Sequence, residues 1–164
     1  RSPVARMCAT LMYCCGLRIS EALRLQVTDI DSQRMVVIVR GGKGNKDRHI
    51  PLPRRTLELL RAYWREYQPK TWLFITPDGR PLADHSVRYF LKKACRDCRI
   101  GKRVSCHTLR HSYATNLMAQ GVDVRVIQVL LGHRSLKTTT LYLHMTSSVM
   151  RSVQDSINDL MGDL

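Results

Sequence analysis

The chain has 164 residues, 44% of them hydrophobic and 24% charged, a mixture that suits one packed domain and excludes a disordered chain. Lys and Arg number 27 against 13 acidic residues, a formal net charge of +14, and that excess points to a polyanion, nucleic acid being the commonest. No apolar run approaches the roughly 18–20 residues that cross a bilayer, the start carries no signal peptide, and the cysteines do not form a secreted disulfide framework, so a reducing cytoplasm is the expected setting.

In chain order, residues 1–12 read as a helix, with Val4, Met7, Cys8, Leu11 and Met12 at helical spacing. Gly16 interrupts it, and Ile19, Leu23 and Leu25 mark a second helical face from Gly16 to about Leu25. Asp29 to Arg34 is turn-like. Met35 to Arg40 is rich in β-branched residues and predicts a strand, the glycine-rich segment Gly41 to Asp47 a turn, and Arg48 to Leu52 the returning strand of a hairpin. Pro53 introduces a helix from Arg55 to about Tyr67, Trp72 to Thr76 is a short apolar segment, and Pro77-Asp78-Gly79 is a turn signal. Asp84 or Ser86 is the expected cap of a helix reaching about Cys98. After a basic turn, Arg99 to Arg103, helices are expected over His107–Ala119, ended by Gly121, and from Asp123 to Leu131, closed by Gly132. Ser135 is the expected cap of a helix carrying Tyr142, and Ser147 to Leu160 places Val149, Val153, Ile157 and Leu160 on one stripe. The expected fold class is α+β: one mainly helical domain, residues 1–164, with a small antiparallel sheet.

Six polar residues stand out against this frame. Arg18 lies among apolar neighbours, and Glu21 shares its helical face at a spacing that lets a carboxylate hold the guanidinium. His107 and Arg110 share a helix face one turn apart. Lys43 stands between glycines in the hairpin turn, His133 follows Gly132, and Tyr142 lies further along. Taken singly, each has a plain structural use: a snorkelling arginine, a capping histidine, a packing tyrosine. Together they suit one reaction. Guanidinium groups bind phosphodiester oxygens and neutralise the charge of a pentacoordinate transition state. Neighbouring cations favour the phenolate of a tyrosine, a lysine can protonate a departing 5′-oxygen, and histidines can bond the phosphate or assist proton transfer. No metal or nucleotide cofactor is required by this set, because its cations supply the charge.

The blocks GLRISEAL, GGKGNKDRHIPL, HTLRHSYATNL and LLGHRSLKTTTLYLH, in this order from about residue 4 to about residue 145, resemble the motif series of the tyrosine recombinase (phage integrase) family, nearest its bacterial Xer and integron-type members. The resemblance implies site-specific DNA recombination, and it assigns roles position by position. Arg18 and Arg110 would form the phosphate clamp, with Glu21 orienting Arg18; Lys43 would be the general acid. His107 would be the histidine of the H-x-x-R motif shared with Arg110, His133 would contact the scissile phosphate, and Tyr142 would form a 3′-phosphotyrosyl bond. It also implies that the chain is the catalytic domain, without the family's N-terminal core-binding domain. The implied partners are a double-stranded DNA recombination site and other copies of the chain in a tetrameric synapse, an isolated fragment being a monomer. The segment after the tyrosine would pack into a neighbouring protomer, although a helix folded back on its own core has the same pattern.

Arg99, Lys102, Arg103, Arg125, Arg134 and Lys137 are candidates for DNA-backbone contacts, which anchor without reading sequence. Other readings are weaker. The glycine turn lacks the spacing of a nucleotide-binding loop, Thr108 stands where a zinc protease needs glutamate, and Cys95, Cys98, Cys106 and His107 have only loosely zinc-like spacing. A topoisomerase or telomere resolvase would use the same chemistry to another end, and a DNA-binding module that had lost activity would have no use for Tyr142 beside Arg18 and Lys43.

Overall fold

The computed structural model describes residues 2–41, 47–132 and 147–161, with the side chains of 147, 148, 160 and 161 left out of the description. Its first helix, α1 (Pro3–Cys15), starts where Ser2 Oγ accepts the Ala5 N–H at 3.3 Å and proline occupies the first turn. It runs past the expected end at residue 12 because Cys14 and Cys15 are fully buried rather than loop residues. Burial on nearly all sides makes α1 the central helix, packed against α3, α4 and α5 as defined below. Gly16, left-handed at φ 59°, stops it.

The second helix is a single turn, α2 (Ile19–Leu23), shorter than the expected span from Gly16. Arg18 is extended, and the Glu21 carboxylate reaches back to its N–H, so the helix cannot begin earlier. The segment expected as a plain turn at 29–34 carries structure of its own. After a 3₁₀ turn (Val27–Asp29) comes the short strand β1 (Ile30–Asp31), which joins β2 (Val36–Val39) and β3 (Arg48–Pro51) in an antiparallel sheet of order β1-β2-β3. Ile30 pairs with Val37, Val37 with Ile50 and Val39 with Arg48. Two residues are too few to show alternation, which hides β1 in the sequence. Asp31 Oδ1 accepts the Gln33 and Arg34 N–H groups and closes the β1–β2 turn.

Helix α3 (Arg54–Tyr67) buries Thr56, Leu57, Leu60 and Tyr63, and the Tyr63 hydroxyl donates to the Leu73 carbonyl at 2.9 Å. The segment after it is pinned by Leu73 N–H to Leu25 O and turns at Pro77-Asp78-Gly79, where Gly79 N–H reaches Thr76 O. Helix α4 (Asp84–Asp97) is capped by neither Asp84 nor Ser86. The Leu82 N–H bond to Phe74 O keeps the chain extended only as far as Ala83, so Asp84 falls inside the first turn, where its charge meets the helix dipole and Arg88.

Helix α5 (Cys106–Ala119) starts at a reciprocal cap. Ser105 Oγ accepts the Thr108 N–H and Thr108 Oγ1 accepts the Ser105 N–H. Asp123 caps α6 (Val124–Leu130), which ends at Leu131-Gly132. The last helix, α7 (Ser147–Met161), buries Val153 and Ile157 against the chain's own α3, α5 and β3. Gln154 donates to Met35 O and Gln120 to Ser156 O across that contact. The expected cap at Ser135 and the helix bearing Tyr142 lie outside the described residues. Among the described residues no helix is long and apolar enough to cross a membrane.

Candidate functional site

The site is organised around one carboxylate. Glu21 sits on α2, which Arg18 precedes in an extended conformation, so the Glu21 side chain faces back along the chain. Its Oε1 accepts from Arg18 Nη1 at 2.8 Å, and its Oε2 accepts from the Arg18 N–H at 2.8 Å. Arg48, from the first position of β3, grips both oxygens: Nη1 to Oε1 at 3.0 Å and Nη2 to Oε2 at 2.8 Å. Arg110, from α5, brings Nη1 to 3.8 Å of Oε2. Three guanidiniums thus surround one carboxylate and leave the cluster net positive.

The two inner arginines are bound to backbone as well. Arg110 Nη1 donates to Gly16 O at 2.6 Å, and Nη2 donates to Leu131 O at 2.5 Å. Arg48 Nε donates to Leu130 O at 3.0 Å. The end of α1 and the end of α6 are therefore held together by guanidiniums, whose rigid fork makes such multiple bonding possible. Arg18 differs from the inner pair. Its side chain is 46% exposed, against 9% for Arg48 and 6% for Arg110, so it is the arginine most open to an arriving anion. His107 is exposed one turn before Arg110, at the N-terminal end of α5, where the helix dipole adds positive potential.

Charge states follow from the contacts. Burial by itself would raise the Glu21 carboxyl, but the Arg48 fork and its charge, with the Arg18 bonds, outweigh it and hold the group down to about 2. Burial, with the neighbouring Arg18 charge, lowers Arg110 to about 10, an effect that Glu21 partly offsets. Both groups are charged at neutral pH.

Glycines let these pieces approach. A side chain at Gly132 would place its Cβ 3.3 Å from Arg48 Nη1, in a residue whose φ is 65°. Gly16 is closer still to its neighbour, the buried ring of Tyr113.

Among the sequence candidates, the structure brings Arg18, Glu21 and Arg110 together, with His107 on the same helix as Arg110. Lys43, His133, Tyr142, Arg134 and Lys137 lie outside the described residues. The flanks of Lys43 are described: the Asp47 carboxylate accepts the Gly41 N–H at 3.0 Å and closes the neck of the turn. Of the backbone-contact candidates, Arg99, Lys102, Arg103 and Arg125 are exposed, and none bonds to Glu21 among the described residues. Among those residues no group of three or more His, Cys, Asp or Glu side chains could hold a metal ion, and Cys95, Cys98 and Cys106 are free thiols.

Arg48 is the residue that sequence reasoning passed over as an ordinary strand position. The signal was present. In a strand of period two, Arg48 shares a face with Ile50 and Leu52, both wholly buried, so its charge is forced onto the core side and must find a partner there.

The profile described as the phage integrase family matches residues 2–148. A tyrosine recombinase of Thermosipho africanus (strain TCF52B) is 42% identical over 137 residues, covering 83% of this chain and 48% of that protein. Tyrosine recombinase XerA of Thermococcus onnurineus (strain NA1) is 41% identical over 161 residues, covering 96% of this chain and 56% of that protein. Among solved structures, the XerH site-specific recombinase bound to difH substrate in a pre-cleavage complex matches with a TM-score of 0.73 at 25% identity, covering 91% of this chain and 45% of that one. The chain spans about half the length of the curated relatives it matches.

Proposed function

The chain belongs to the phage integrase family, and we propose that it is the catalytic domain of a tyrosine-type site-specific DNA recombinase. The observation that carries this reading is the Glu21-centred cluster: one exposed arginine aimed by a carboxylate, with Arg110 locked behind it and His107 a turn away. Arg18 and Arg110 would bind the non-bridging oxygens of the scissile phosphate, and Arg110 has N–H donors to spare beyond its two carbonyl bonds. The Tyr142 oxygen attacks phosphorus as its proton passes to water, the bond from phosphorus to the 5′-oxygen breaks, and Lys43 protonates that oxygen. The product is a 3′-phosphotyrosyl link. His107 and His133 bond the phosphate as charge builds on it.

A 5′-hydroxyl from a partner strand then attacks the phosphotyrosine, releases Tyr142 and restores a phosphodiester, so no nucleotide need be consumed. Each active site cuts one strand, so exchange of both strands of two duplexes takes a tetramer of the chain on its recombination-site DNA. The setting would be the cytoplasm. XerH, captured with its difH DNA, supports DNA as the partner.

The experiment is covalent capture. The protein is incubated with a randomised pool of nicked duplexes, and denaturation-resistant adducts are isolated and sequenced. The wild type is expected to yield an adduct that Tyr142→Phe does not form; an undiminished adduct in Tyr142→Phe overturns the assignment.

A further inference from the structure

We infer that Arg48 is a positioning residue for this reaction: by gripping Glu21 and the last turn of α6 at once, it sets the direction of Arg18 and ties it to the end of α6. The inference rests on the recombinase reading above. Arg48 is 7% exposed, and its bonds point two ways. The fork Nη1/Nη2 meets both oxygens of Glu21, while Nε meets the Leu130 carbonyl at 3.0 Å. Among the described residues, the other groups that meet Glu21 are Arg18 itself and Arg110, which approaches one oxygen at 3.8 Å, so Arg48 makes the two-oxygen grip that squares the carboxylate to Arg18.

The position of Arg48 in the chain gives this grip its reach. It opens β3, immediately after Asp47, whose carboxylate closes the neck of the turn that contains Lys43. Its other bond ends at Leu130, beside Leu131, whose carbonyl Arg110 holds, and just before Gly132 and His133. One side chain therefore joins the strand returning from the proposed general acid, the proposed phosphate clamp, and the helix leading to the proposed nucleophile. Arginine is needed for this. A lysine ammonium is a point charge that can meet Glu21 or the carbonyl, but it has no fork to square the carboxylate.

Among the described residues, the charged groups facing Glu21 are Arg18 ahead of α2, Arg48 on β3 and Arg110 on α5. In Arg48→Met the carboxyl loses its main lowering partner while burial still raises it, so its titration moves up from that of the wild type. Protonated Glu21 releases Arg18. The adduct-forming rate of Arg48→Met on a captured nicked duplex should then acquire an acid limb that the wild type lacks, and Glu21→Gln added to Arg48→Met should remove that limb. Merely structural support would lower the amount of folded protein without changing the shape of the pH profile. A wild-type profile in Arg48→Met overturns the inference.

Should Arg48→Met not fold, Arg48→Lys carries the test. The expected result is an adduct rate lower by about a hundredfold, the scale of a small misplacement at a reacting centre, with duplex affinity within about twofold of wild type. A wild-type rate, or affinity and rate falling together, overturns the inference. A wild type that forms no adduct at all overturns the recombinase reading first, and this inference with it.

Discussion

Replacing Gly16 by alanine tests the packing behind the site. Gly16 is left-handed, a conformation that costs an L-residue about 1–2 kcal/mol. A Cβ there would also stand 2.9 Å from Tyr113 Cε1 and 3.0 Å from Cγ, closer still to Cδ1. Tyr113 is 1% exposed, so overpacking against its ring adds about 1–3 kcal/mol. The total is about 2–5 kcal/mol, a fall in Tm of roughly 4–20 °C for a domain of this size. Gly79 and Gly121 supply the control. Their φ angles are 79° and 80°, yet nothing lies within 4 Å of an added Cβ, so Gly79→Ala and Gly121→Ala should show the backbone cost alone. Thermal and urea unfolding of the three variants would separate the two effects. If Gly16→Ala is no more destabilising than Gly79→Ala, the contact between the end of α1 and the Tyr113 ring does not constrain the fold as argued.

Three further expectations concern charge and caps. Glu21, held at about 2 against an ordinary 4.5, binds its proton less readily folded than unfolded, so its stabilisation is complete above about pH 4.5 and fades toward pH 2. That gap corresponds to on the order of 3 kcal/mol, so the stability difference between wild type and Glu21→Gln should narrow from pH 5 to pH 3 in urea titrations; a constant difference refutes it. Ser105→Ala should cost about 1 kcal/mol by opening the start of α5, and an unchanged urea midpoint would show that the reciprocal cap contributes nothing. Duplex affinity should fall steeply between low and moderate salt, with each of Arg99, Lys102, Arg103 and Arg125 that touches a phosphate lowering the logarithmic slope by about 1 on replacement by alanine; slopes unchanged in all four variants would remove them from the DNA surface.

Much of this architecture was legible because local chemistry and burial agree. The α3, α5 and α6 helices, with Pro53, Gly121 and Gly132 at their ends, the Asp123 cap and the turn at Pro77-Asp78-Gly79 are each specified within a few residues, and the structure holds them there. Elements decided by distant partners were less legible. Strand β1 exists only because Val36 and Val37 lie alongside it, and α4 starts where a bond from Leu82 to Phe74 sets its entry. The spacing of Arg18 and Glu21 announces their ion pair, since both belong to one turn. Arg48 meets Glu21 across 27 positions and Leu130 across 82, separations that no local pattern encodes.

A carboxylate at the centre of the proposed phosphate-binding site looks counterproductive, because it lowers the positive potential an anion would feel. The burial of its partners resolves this. Arg48 and Arg110 are each under a tenth exposed and lie close enough for like charges to matter: Arg18 and Arg48 both push Arg110 down. Two unit charges 4 Å apart interact by about 4 kcal/mol at a surface-like effective dielectric, so guanidiniums crowded without a counter-charge would drive the ends of α1, α6 and β3 apart. Glu21 offsets that repulsion for the inner pair while leaving Arg18 half exposed and the cluster net positive. Removing Glu21 should therefore do more than unfasten Arg18. It leaves buried charges unpaired, the costly case, and the helix ends they tie together should loosen along with the clamp.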